Sequence, residues 1–304
     1  MGLSFTIVVC TRNRCGELRR LLDNLAEEVV QSTSTWDVLV VDNGSTDDTR
    51  SVVADVARTF PVPLRVALEP ELGIAHARNR GIEEAGGDVL VYLDDDVTVR
   101  KGWFLALETE FSDSSIDAAG GPVFPHFPNN APTDYVRAVT GDRCGSTGLY
   151  DLGADALELS AALGAPRGAN MALRASLLER VGRFQTSLGW GREQLPGEET
   201  DLFVRCFRLG ARVRYSPAMA VDHFLQADKV GWDYLRRWHI GYGRASVRMR
   251  PRPPAWLLAA KLAEQSLVWM RFSVVALFQR DRRSSRPYRK VWQAEGRIAE
   301  LLGR

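Results

Sequence analysis

The stretch "VLVYLDDDV", residues 89 to 97, runs five apolar or aromatic residues straight into Asp94, Asp95 and Asp96. Two carboxylates about 6 Å apart repel by about 3 kcal/mol at an effective dielectric of about 20, so three together require a cation, hydrogen-bond donors or water beside them. In an extended chain side chains alternate, which sets Asp94 and Asp96 on one side and Asp95 on the other. A D-x-D pair so placed can face one divalent ion. The competing reading is a solvated turn or a helix cap.

Similar chemistry recurs along the chain. Asp42 ends "WDVLVVD" and is followed by Asn43, Gly44 and Ser45. A carboxylate there can accept from a nucleobase N–H or a ribose hydroxyl, while Gly44 lets the backbone turn and Asp47 caps the next helix. In "LGIAHARNRG", Arg78 and Arg80 fall near the start of a predicted helix, against the macrodipole preference. That placement suits a phosphate ligand, and a surface pairing with Glu83 or Glu84 is the alternative. "PGEETDLFVRCFRLG" brings Glu198, Glu199 and Asp201 to a helix N-terminus. Acids are favoured there as caps, and one held beside a glycine-rich loop can also act as general base toward an incoming hydroxyl. His223 in "AVDHF" can complete a metal site begun by carboxylates, or sit as a satisfied core or surface residue.

The elements that must position these groups read as an α/β chain. "FTIVVC", "WDVLVVD", "LRVAL" and "DVLVYLD" are strand-like, and helix-like segments follow the first three through "GELRRLLDNLAEEVV", near 47–59 and across 74–85. Such βα units build a mainly parallel sheet, whose ligands collect outside the carboxyl ends of the strands. The clusters "TRNR", "DNGSTDD" and "DDD" all follow strands directly. Residues 124–165 lose the periodicity and read as a loop region or insertion. Regular structure resumes with "GANMALR", a helix over 175–181, the loop "SLGWGREQLPG", a helix from "EETDLFVRCFRLG" and the strand "ARVRYSP". Positions 229–249 and 255–279 read as helices, and a basic linker leads to a last helix.

With 304 residues and 45% hydrophobic content, the chain can bury a large core and is not disordered. Neither an opening apolar h-region nor an uninterrupted 18-residue apolar run occurs, which predicts a cytosolic protein. Cys10, Cys15, Cys144 and Cys206 read as reduced thiols. The formal charge of +1 hides an asymmetry. Residues 1–228 hold 22 Lys+Arg against 33 Asp+Glu, a net of −11, whereas 229–304 hold 17 against 5, a net of +12. A basic tail can serve nucleic acid, an anionic membrane surface, or the acidic body of its own fold.

In their order and spacing, "VVCTRNR", "VVDNGSTDDT", "GIAHARNRG", "YLDDDV", "RGANMALR" and "GEETDL" resemble the motif series of the family 2 glycosyltransferases, over about residues 4–225. The resemblance implies a GT-A fold: a mainly parallel Rossmann-like sheet with helices on both faces, here with a C-terminal helical extension. Its domains would be 1–228, catalytic, with 1–123 binding the nucleotide-sugar and 124–228 on the acceptor side, and 229–304, the basic extension. Asp42 would contact the base, and Thr11, Arg12 and Arg14 would line the nucleoside pocket. Many members carry Tyr where this chain has Arg12, whose guanidinium plane could take over the stacking. Arg78 would sit near the diphosphate. Asp94 and Asp96 would form the D-x-D element, with Asp95 also on the donor, and His223 would join Asp96 and Asp94 on Mg²⁺ or Mn²⁺.

Glu199 matches the family's catalytic base, with Glu198 and Asp201 as alternates. The reaction implied is a single inverting displacement, with a metal stabilising the departing diphosphate of a UDP-, GDP- or dTDP-sugar. On this reading the positive partner of the acid triplet is a metal–diphosphate complex. Gly168, Ala169 and Asn170 would pack under the donor sugar, and Trp190 would stack on an acceptor sugar or simply pack. A nucleotidyltransferase would carry a glycine-rich phosphate loop after its first strand, where "CTRNRCGEL" has none. A non-enzymatic basic binding protein would leave the strand-end acids as coincidence, and no nucleic acid partner is expected.

The tail lies outside the resemblance. On a wheel of 255–279, Lys261, Glu264, Gln265, Arg271 and Gln279 fall within a sector of about 120°, and Trp256, Leu257, Leu258, Leu262, Trp269, Met270 and Phe272 occupy the rest. With basic flanks, such a helix suits the interface of an anionic membrane, which would hold the enzyme at the inner face of the cell membrane with a polysaccharide or lipid-linked acceptor. Packing on the catalytic domain or a homodimer partner is the alternative.

Overall fold

Segments rich in Val, Ile and Leu set the first strands. In the computed structural model β1 (Ser4–Thr11), β2 (Thr35–Asp42), β3 (Leu64–Leu68) and β4 (Val89–Asp94) pair in parallel, in the order β3-β2-β1-β4. Helices α1 (Cys15–Val29), α2 (Thr49–Ala57) and α3 (Ile74–Glu84) make the crossovers. Nearly every residue of β1 and β4 is buried, so this half of the sheet is covered on both faces. α1 shows how the sequence achieves it: Leu18, Leu21, Leu22, Leu25 and Val29 recur at helical spacing and bury one stripe. The structure describes residues 2–30, 32, 34–142, 145–191, 193–251, 253–278 and 284–303. Cys144, Gln279 and the basic residues Arg252, Arg280, Arg282 and Arg283 lie outside these. Among the described residues Cys10, Cys15 and Cys206 are free thiols.

Beyond β4 the chain adds β5 (Val97–Val99), α4 (Trp103–Ser112), β6 (Ala118–Gly120), β7 (Val123–His126), α5 (Thr133–Gly141), β8 (Leu157–Leu159), β9 (Asn170–Arg174) and α6 (Ala175–Val181). It continues with β10 (Gly189–Trp190), β11 (Gln194–Leu195), α7 (Glu198–Arg208), β12 (Val213–Tyr215) and β13 (Val221–Phe224). The sheet runs on as β4-β9-β6-β12-β8, with β9 antiparallel to both its neighbours. A small sheet, β5-β13-β7, stands apart from it. The stretch 124–165, expected to be irregular, contains α5 and β8. Its prolines fall in β7, in the connection after it and just before α5, where they do not interrupt a helix.

Two compact units emerge. The first comprises Met1–His126, Tyr150–Thr186 and Glu198–Phe224, with one continuous apolar core. The second gathers Phe127–Leu149, Ser187–Gly197 and Leu225–Arg304. Within it α8 (Trp232–Arg248), α9 (Ala255–Phe278) and α10 (Arg286–Leu301) follow one another. Glycines let α8 and α10 cross with backbones touching: a Cβ on Gly296 would lie 2.0 Å from the Ile240 carbonyl oxygen, and one on Gly243 would lie 2.3 Å from that of Gln293. The start of α10 is fixed by Asp142, whose Oδ2 accepts from the Ser285 hydroxyl at 2.7 Å and the Arg286 N–H at 2.9 Å.

Candidate active site

The sheet order turns back between β1 and β4, since β2 and β3 lie beyond β1 on one side and β9 beyond β4 on the other. Ligands of open α/β sheets settle at such a point, outside the carboxyl ends of the strands. Register puts the chemistry there. Thr11 pairs with Asp42 and Cys10 with Asp94, so the ends of β1, β2 and β4 form one rim. Asparagines lace the loops above it. Asn13, held at φ 52°, accepts the Thr46 N–H at 2.7 Å, and Asn43 donates to the carbonyls of Glu69 and Glu71 while accepting the Gly73 N–H at 2.8 Å.

The acid triplet finds positive partners within the chain. Arg14 places Nη1 2.7 Å from Asp95 Oδ1 and 2.8 Å from Asp96 Oδ2, and Thr11 donates its hydroxyl to Asp95 Oδ2 at 2.7 Å. Asp95 and Asp96 therefore share a cation, in place of the expected Asp94 and Asp96. The strand ends at Asp94 and the next two residues turn, so side-chain alternation stops where the sequence reading extended it. Burial pushes the Asp95 carboxyl up to about 6 against the pull of Arg14, with Asp96 adding to the rise. Asp94 turns the other way, 3.4 Å from Arg78 Nη2.

Arg78 is buried in α3 and ties this rim to α7, with Nη1 2.5 Å from Glu198 Oε1. Gly168 lies against the same guanidinium, and any Cβ there would come within 2.3 Å of Nη2. The next acid, Glu199, is half-buried. Burial first, and then the Glu198 charge, push its carboxyl up to about 7 against the opposing pull of Arg78. Asp201 has a structural partner instead: Arg205 binds it at 2.9 Å while donating to the carbonyls of Val181 and Arg183.

His223 comes to the triplet through strand pairing. It sits opposite Val97 in the β5-β13 ladder, and the Phe224 N–H donates to the Asp96 carbonyl at 2.9 Å. The imidazole Nε2 thereby stands 3.1 Å from Asp96 Oδ1. Two ligands in adjacent positions of one ion, each about 2.1 Å from it, stand about 3.0 Å apart. Asp96 and His223 thus fit a divalent ion in spacing and donor chemistry, a carboxylate oxygen with an imidazole nitrogen. Among the described residues no three His, Cys, Asp or Glu side chains converge as a metal cage, and Asp94 does not join the pair.

Three expected ligand residues are engaged within the fold. Asp42 is fully buried, with Oδ1 accepting the Ser45 N–H at 2.8 Å and Oδ2 bound by Arg50 at 2.7 Å. Burial alone would raise its carboxyl, but these bonds outweigh it and hold it below the ordinary range. Asn170, also fully buried, accepts from Trp103 Nε1 at 3.1 Å and donates to the Met219 carbonyl at 2.5 Å. Its amide is thus occupied by the fold and does not present the donor and acceptor expected toward a sugar. Trp190 belongs to the second unit and stacks on Tyr234, with centroids 6.1 Å apart and planes within 6°. Arg12 is exposed. Arg50 was not singled out from the sequence, although a basic residue in the first turn of α2 carries the same signal that marked Arg78.

The family model "Glycosyl transferase family 2" matches residues 6–180. The succinoglycan biosynthesis protein ExoM of Rhizobium meliloti is 29% identical over 250 residues, 81% of this chain and 75% of that protein. A pre-mycofactocin glycosyltransferase of Mycobacterium tuberculosis is 28% identical over 255 residues, which are 82% of this chain but only 48% of that longer protein. Among solved structures, a mannosyltransferase of Pyrobaculum calidifontis in complex with GDP-Man and Mn²⁺ aligns over 100% of this chain and 88% of its own, with a TM-score of 0.63 and 19% identity. Residues 1–349 of S. aureus TarS, in complex with UDP-GlcNAc, align over 99% and 91% with a TM-score of 0.55 and 16% identity. These likenesses make the fold GT-A.

Proposed function

The chain belongs to glycosyl transferase family 2 and is a glycosyltransferase; on that premise we propose that it transfers a sugar from a nucleoside-diphosphate sugar to an acceptor hydroxyl with inversion at the anomeric carbon. The observation that carries the reading is the Asp94–Arg78–Glu198 relay, which joins the acidic strand end to the helix bearing Glu199. Glu199 takes the proton of the acceptor hydroxyl as its oxygen attacks C1, the bond from C1 to the diphosphate oxygen breaks, and the nucleoside diphosphate departs. A proton affinity raised to about 7 makes this carboxylate a stronger base than an ordinary glutamate.

Asp96 and His223 would hold Mg²⁺ or Mn²⁺, and the ion would supply Lewis-acid stabilisation of the charge that develops on the diphosphate. The imidazole tilts that choice toward Mn²⁺. Thr11, Arg14 and Asp95 form the wall on which the nucleotide rests, and Asp42 orients its base through the Ser45 turn. The acceptor is a polysaccharide, glycolipid or other glycoconjugate hydroxyl presented at the cytosolic face of a membrane. Calorimetry with UDP, GDP and dTDP tests the reading. One nucleotide should bind in the presence of Mn²⁺ and be lost on chelation, whereas binding indifferent to chelation would remove the metal from the scheme.

A further inference from the structure

We propose that the outward face of α9 is a docking surface for an anionic lipid bilayer. The helix covers only part of its apolar surface: Leu258, Leu262 and Phe272 are half-buried, whereas a second apolar stripe faces outward. It meets α10 where Gln265 Oε1 accepts from Arg297 Nη1 at 3.2 Å and where the Ala276 carbonyl accepts from Tyr288 at 3.3 Å. The outward stripe is bare: Trp256 is 79% exposed, Leu267 64%, Met270 50%, Val274 53%, Leu277 79% and Phe278 83%. Residues 256, 267 and 274 are separated by whole turns, as are 270 and 277, so these side chains form one stripe along the helix. Apolar surface of this extent marks an interaction site.

Charge selects the partner. The chain from 229 to 304 carries 17 Lys+Arg against 5 Asp+Glu, and basic residues lie on both sides of α9, in "RMRPRP" before it and "RDRRSSRPYRK" after it. A second copy meeting this helix in antiparallel register would bring basic flank against basic flank, whereas anionic headgroups complement both. No helix among the described residues is long and apolar enough to cross a membrane, so α9 lies in the plane of the interface. The inference deepens the membrane-side placing of the acceptor, but it stands on α9 alone and is tested without turnover.

The test is flotation of the full chain with vesicles of phosphatidylcholine alone and with about one third phosphatidylglycerol, at low and high salt. Wild type should float with the anionic vesicles, and less so at high salt. The double variant L267E/V274E should lose at least tenfold of that binding. Because both side chains are exposed, its melting temperature and its nucleotide binding should match wild type; these controls separate failed docking from failed folding and from a wrong donor assignment. A wild type that stays unbound under all conditions, a variant that floats as well as wild type, or a concentration-dependent dimer abolished by the same substitutions would each overturn the proposal, the last by giving the face to a second copy.

Discussion

A general base must be unprotonated to act, so a Glu199 carboxyl pushed up to about 7 places the acid limb of the rate profile near neutrality. Transfer should fall on acidification through about pH 7 and level off above it, as a pH–rate series under saturating donor will show. The same shift has a stability counterpart: the fold favours the protonated form, so this residue's contribution is present at low pH and is lost as the pH rises from the ordinary carboxylate range through about 7. Glu199→Gln should cost roughly 10²–10⁴-fold in rate while leaving donor affinity within a few fold. Near-normal turnover in that variant, with Asp201→Asn inactive instead, would move the role to Asp201, which its bond to Arg205 makes a poorer candidate. The sequence located the acids well, because each follows a strand or opens a helix. It did not show how they are shared. Arg14 lies 81 residues before Asp95, and only the pairing of β1 with β4 brings the two loops together.

The first crossovers were legible as elements because each strand is rich in Val, Leu and Ile and each helix carries its own periodicity. Farther along, the helices and the strand at "ARVRYSP" were legible too, whereas β6 and β8 were not, since each is three residues long and makes sense only beside its neighbours in the sheet. Asn170 shows the consequence. In sequence it looked like a ligand residue; in the fold it opens β9 and holds Trp103 and Met219. Asn170→Ala should leave the Trp103 indole N–H and the Met219 carbonyl unsatisfied and cost about 2–4 kcal/mol by urea unfolding, with donor affinity nearly unchanged under native conditions. A large loss of donor affinity without loss of stability would restore the ligand role. The crossing of α8 and α10 was equally hidden, because a helical glycine ordinarily signals weakness. Gly296→Ala would stabilise an isolated helix by about 1 kcal/mol. Here its Cβ would strike the Ile240 carbonyl, so unfolding experiments should find a net loss of about 1–3 kcal/mol.

Across the whole molecule, the near-neutral total of +1 conceals an acidic stretch to residue 228 and a basic one after it, a contrast visible from composition alone. Composition could not show which apolar side chains of α9 would be left exposed, because that depends on where Arg297 and Tyr288 of the next helix hold it. The guanidinium of Arg14, set between Asp95 and Asp96, bears on how the protein matures. A site that carries its own counter-charge does not wait for an ion before the chain can fold, unlike small metal domains in which binding and folding are one event. Newly made enzyme should therefore be complete before it is charged with metal. Chelator added to the nucleotide-free protein should leave its melting temperature where it was, and a fall of several degrees would mean that the ion is part of the architecture. An ion held between Asp96 Oδ1 and His223 would sit beside the Arg14 guanidinium on Oδ2, so the affinity measured for the ion alone would be a net value, lowered by that neighbouring positive charge.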